Sequence, residues 1–183
     1  IPLYSYIAAG LQGVEVDGPV VSEKYNYRLE LPEGWMKVND AVQKTGHADA
    51  AGYFFKGSPR APLVNGIIYL GPAIPPFVVI EKRMSDPVFN AIEPQMRDLN
   101  EMYMKQLGME YELLETKFFI IDGKEAIWLD GNGTCKGCSP RRDFTFFAFG
   151  DTNIYLIKFQ FDEENVGALW PEIEYILNSI EFI

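Results

Sequence analysis

A chain of 183 residues has the length of one domain with a sizeable core. Hydrophobic residues make up 48% and aromatics 14%, which excludes a disordered chain, and the net charge of −10 repels phosphate backbones, so nucleic acid is not an expected partner. No run of about 18 apolar residues occurs, so no helical membrane span is expected; the most apolar stretch, Gly66 to Ile80, is broken by Pro72, Pro75 and Pro76.

The chain begins at Ile1 and is expected to be a processed or trimmed form whose signal peptide, if any, has gone. Residues 1–20 read as an arm, carrying Tyr4, Tyr6 and Ile7, that ends in a short strand. Tyr25, Tyr27, Leu29 and Leu31 alternate with Asn26, Arg28 and Glu30, the period of a half-buried strand. Pro32 to Gly34 end it, and Trp35 opens a second apolar segment. Residues 52–56 and 77–82 read as strands, the second rich in β-branched residues. Between them, 57–76 reads as a Pro/Gly-rich connection enclosing an apolar piece, Gly66 to Leu70, that is either edge strand or partner surface.

A long helix follows. Asp86-Pro87 and Glu93-Pro94 both resemble helix starts. Met96, Leu99, Met102, Tyr103 and Leu107 recur every three or four residues as an apolar stripe, and Gly108 supplies a stop. The helix is expected near 93–107. Strands at 111–121 and 124–129 flank Asp122-Gly123, a hairpin-turn dipeptide. Strands at 143–149 and 154–161 flank a second turn, Gly150 to Asn153. Asp162 then precedes a last helix near 168–179, with Leu169, Ile173, Ile176, Leu177 and Ile180 on its apolar face and Glu172 and Glu174 on its polar side. Short turns between strands indicate antiparallel pairing. The fold class is therefore α+β, built on a mainly antiparallel sheet.

Chemistry-bearing motifs are few. Cys135-Lys136-Gly137-Cys138 lies in a loop, 130–142, between two strand segments. A redox pair needs its first thiol at a helix N-terminus, but Ser139-Pro140 and a strand follow. A zinc site needs about four ligands, and the chain adds only His47 to the two thiols. A small loop disulfide, or two idle thiols, is the plain alternative. His47 and Asp49 are too few to hold a metal or to make a catalytic site unaided. Lys136, Arg141 and Arg142 have the composition of a solvated loop. No glycine-rich nucleotide loop is present, and no cofactor is expected.

Three stretches carry a resemblance. YNYRLELPEGW, KFFIIDGKEAIWL and the close NIYLIKFQFDEENVGALWPEIEYILNSIEF, with Ile176, Leu177, Ser179, Ile180 and Phe182, are similar to the PsbP-like domains. That family includes the extrinsic PsbP subunit of photosystem II, a yeast import factor that binds the GTPase Ran, and many bacterial proteins. The resemblance spans about residues 20 to 183. It departs at the arm, at 57–76 and at GNGTCKGCSPRR. It implies an α/β/α sandwich around a central antiparallel sheet, and no site residue carries over. Residues 1–183 are accordingly expected to form a single domain of a non-enzymatic, protein-binding kind, exported from a bacterial cytoplasm. The expected partner surface is Ile67, Ile68, Tyr69, Leu70 and Ile74. If the protein is exported, Cys135 and Cys138 are expected to be joined. A thiol-redox or metal-dependent protein centred on these cysteines, and a carrier of a small apolar ligand, are the alternatives.

Overall fold

The computed structural model describes residues 13–38, 50–58, 61–73, 83–151 and 153–183, without the side chains of 71–73. Eleven strands, two α-helices and one 3-10 turn are present among them: β1 (Gly13–Glu15), β2 (Val20–Ser22), β3 (Tyr27–Leu29), β4 (Trp35–Val38), β5 (Ala50–Ser58), β6 (Ala61–Ala73), α1 (Asp86–Gln106), β7 (Glu110–Ile121), β8 (Lys124–Thr134), β9 (Arg141–Phe149), β10 (Asn153–Asp162), the 3-10 turn Glu163–Asn165, α2 (Val166–Asn178) and β11 (Glu181–Phe182). Eight strands form one sheet in the order β1-β4-β5-β6-β10-β9-β8-β7, every pair antiparallel. A second sheet, β11-β3-β2, joins the chain's end to its early strands.

Alternation along the strands gives the sheet two apolar faces. In β10, Tyr155, Ile157, Phe159 and Phe161 pack with α2, whereas Ile154 and Leu156 pack with α1. In β9, Phe144 and Phe146 face α2 while Phe147 and Phe149 face α1. The helices therefore cover opposite faces, which is the α+β class read from the pattern and the sandwich that the resemblance implies. Trp35, Phe159, Phe161, Leu177 and Ile180 all lie in the α2-side core. Trp170 stacks on Trp128, with centroids 4.9 Å apart and planes 8° apart, and presents an edge to Phe144 and Phe119.

The β7–β8 hairpin turns at Asp122 (φ 49°) and Gly123 (φ 74°), the left-handed pair that a two-residue turn demands. Gly150 N–H donates to Asn153 O at 3.0 Å in the β9–β10 turn.

Three expectations need correction. The stretch taken as a Pro/Gly-rich connection, 57–76, is mostly β6, a thirteen-residue strand between β5 and β10 in the sheet interior. Its prolines misled the reading: Pro62 pairs with Gly57 at an irregular point of the β5–β6 ladder, where a missing N–H is tolerated. α1 starts at Asp86-Pro87, and Pro94 lies inside it. Its buried line is Met96, Asn100 and Met104, while Met102 is 51% exposed. The apolar stripe is thus rotated toward a polar residue, Asn100. The strand expected at 77–82 falls outside the described residues.

Candidate functional site

The cysteine pair and the basic cluster beside it have a definite place. Cys135 and Cys138 form a disulfide with Cα atoms 5.2 Å apart. They sit in the loop joining β8 to β9, where Cys138 N–H donates to Cys135 O at 3.1 Å and Gly137 has φ 81°. Both cysteines are half-buried and no helix starts there, so no helix dipole acts on the sulfurs. Of the basic cluster beside them, only Lys136 is exposed. Arg142 clasps the buried Asp130 through two hydrogen bonds, 2.7 and 3.0 Å, and reaches Glu163 at 3.3 Å. Arg141 lies 3.8 Å from Asp162. Arg142 also lies over the Phe144 ring at 5.8 Å, and the two arginines are not a solvated patch. Glu172 also differs from expectation: it accepts 2.6 Å hydrogen bonds from Trp35 Nε1 and Lys56 Nζ, tying α2 to β4 and β5.

The residues expected to form a partner surface divide. Ile67 and Ile68 are buried on opposite faces of β6. Tyr69 is half-buried, its hydroxyl hydrogen-bonded to that of Tyr103. Leu70 is exposed. Ile74, like His47 and Asp49, lies outside the described residues. Among the described residues no three His, Cys, Asp or Glu side chains cluster as a metal would require.

The sequence reading missed a polar core beneath α1. Lys158 Nζ donates to Asn100 Oδ1 at 2.6 Å, Thr145 Oγ1 at 2.6 Å and Asp143 Oδ1 at 2.9 Å. Gln160 Nε2 donates to Asp143 Oδ2 at 2.7 Å. The side chains of Lys158 and Asp143 are 2% and 1% exposed. Burial pulls the Lys158 ammonium below its ordinary pKa, and Asp143 opposes that pull. Tyr111 lies against this group. Its phenol is pushed well above the ordinary range, by burial first and by Asp143 next, with Asp130 and Glu101 adding to it. Room for Tyr111 comes from Gly131, where a Cβ would stand 2.5 Å from the phenol oxygen. The cluster is sealed from solvent, so it seats α1 on the sheet and offers no group to a substrate. A signal existed: Asp143 and Thr145 alternate with Phe144 and Phe146, as Lys158 and Gln160 do with Ile157, Phe159 and Phe161, which puts the four polar groups on one face of adjacent strands.

One open feature remains. β7 ends the large sheet, and no described strand pairs with its outer side. It is twelve residues long, and its register shifts between Leu113 and Glu115, leaving Leu114 as a bulge. Leu114, Phe118 and Ile120 are 45%, 46% and 52% exposed. Phe118 and Ile120 share the α1 face, where Phe118 packs on Phe89 at 5.1 Å. On the other half of the strand Glu110, Glu112 and Glu115 are exposed. Lys117 is held by Glu115 and Asp130, both at 3.1 Å.

The chain has a PsbP-like fold. It superposes on the solution structure of cyanobacterial PsbP (CyanoP) from Synechocystis with a TM-score of 0.64 and 13% identity, over 96% of this chain and 98% of that one. LpqN of Mycobacterium tuberculosis, described as involved in cell envelope biogenesis, matches with a TM-score of 0.52 and 14% identity over 98% and 96%. A protein of Bacteroides thetaiotaomicron matches with a TM-score of 0.55 and 11% identity, over 90% of this chain and 48% of that one. No family model and no curated protein matches the sequence.

Proposed function

We propose that this chain is a non-enzymatic accessory domain that binds another protein through the outer edge of β7. The observation that carries the reading is the exposed run Leu114, Phe118 and Ile120 on a strand whose outer side no described strand pairs with. Soluble proteins usually blunt such an edge with charge, proline, a bulge or a covering element, and Glu110, Glu112, Glu115 and the Leu114 bulge do so only in the first half of β7. An edge that keeps aromatic and branched residues offers backbone groups and side-chain contacts to an added strand. Two features among the described residues support this: the ammonium of Lys158 is enclosed, and the sulfurs of Cys135 and Cys138 are joined.

Export is part of the proposal. A loop disulfide persists in an oxidising compartment, and one structural neighbour is described as acting in cell envelope biogenesis. Protein alkylated with a maleimide directly after extraction from its native cell is expected to show no free thiol. Two modified cysteines would contradict export.

The binding itself is tested by affinity purification from the native source. Phe118→Lys combined with Ile120→Lys is expected to release the partner while the far-ultraviolet circular dichroism stays unchanged. Tyr175→Lys, an exposed position on α2, is the control. Retention of the partner by the β7 variant would refute the reading.

A further inference from the structure

The β7 edge is divided in its chemistry. Before the bulge at Leu114 it presents exposed Glu110 and Glu112, with Glu115 just beyond. Those three glutamates carry the exposed charge of that half, because the buried Asp130 and Asp143 are paired with Lys117, Arg142 and Lys158. Two nearby cations are already committed: Lys117 bridges Glu115 and Asp130, and Arg142 bridges Asp130 and Glu163. Beyond Lys117 the exposed side chains are apolar, Phe118 and Ile120.

Resting on the edge-docking reading, we propose that the occupant is an extended segment of another protein, basic in one half and apolar in the other. Its backbone pairs along 116–121, where the ladder is regular, and its cations lie over Glu110, Glu112 and Glu115. Opposed residues in a sheet share a face. Register with β8 puts Glu110 and Glu112 on the α2 face, opposite Thr134 and Asn132. Phe118, opposite Ile127, is on the α1 face. The partner therefore carries Lys or Arg at alternate positions facing the α2 side, then Val, Ile or aromatic residues at alternate positions facing the α1 side. A second copy of this chain fits poorly. Antiparallel self-pairing centred on Thr116 matches Glu115 to Lys117 but sets Glu112 against Ile120, and the bulge puts those two on different faces.

The probes are synthetic peptides of about twelve residues, the length of a long strand. One has Lys at alternate positions in one half and Val at alternate positions of the opposite parity in the other. The second replaces each Lys by Glu. The Lys peptide is expected to slow amide exchange over 116–121 and to bind about tenfold or more tighter than the Glu peptide, the gap closing at about 1 M salt. With the native partner, Glu110→Lys combined with Glu112→Lys is expected to weaken retention by a similar factor. Equal binding of both peptides on β7, or full retention by the glutamate variant, would overturn the charge preference while leaving edge docking standing. A dimer abolished by Ile120→Lys would make the occupant a second copy and overturn the proposal. Failure of the Lys peptide to protect β7 overturns it also, and the Phe118/Ile120 variant then decides whether edge docking survives.

Discussion

Leu177 has no exposed surface and lies in the α2-side core with Ile173, Ile176 and Phe159. Leu177→Ala removes its burial and leaves a cavity that close packing cannot fill. A loss of about 2–5 kcal/mol is expected in urea titration. Stability equal to the parent would show that the α2 face is not the core it is taken for. Tyr111 gives a pH-dependent prediction. The native state holds its phenolic proton above the ordinary pKa of 10.0, and the unfolded chain releases it near that value. The native state thus binds more protons at alkaline pH, and stability from this group falls as pH rises above it. Tyr111→Phe is expected to flatten that fall between about pH 9 and about pH 11, read from urea midpoints. An unchanged slope would mean that the phenol is not held in this buried, negative setting.

At the scale of elements, the β8–β9 hairpin and α1 show two uses of local sequence. The disulfide closes only two intervening residues, so it restricts the unfolded chain little. Replacing Cys135 and Cys138 by serine together is expected to cost at most about 2 kcal/mol. Amide exchange should quicken at 135–139 and stay unchanged in the strands. Unfolding of the sheet, or release of a bound metal, would contradict a loop clip. α1 illustrates the limit of pattern reading. Its helical period was visible, but the stripe through Met102 was not the seated one. The seat is Asn100 bonded to Lys158, an attachment that an apolar template cannot find. The strands at 111–121 and 154–161 were legible because alternation and turn dipeptides agreed. β6 was not, because its prolines and glycines outweighed a run of Ile67, Ile68 and Tyr69 whose burial depends on neighbours distant in sequence.

For the whole molecule, two helices cover opposite faces of one antiparallel sheet. The edge at β7 is set by pairing order, which no single segment encodes, so its openness was invisible in the sequence even though β7 itself was plain. Side chains that read as core by hydrophobicity alone, Phe118 and Ile120, are half exposed because the sheet ends there. The most direct test places a photo-activatable phenylalanine analogue at position 120 in the native cell, with position 175 on α2 as the control. Irradiation is expected to give one discrete protein adduct from position 120 and none from position 175. Adducts from 175 alone, or no adduct from 120, would contradict a docking edge at β7.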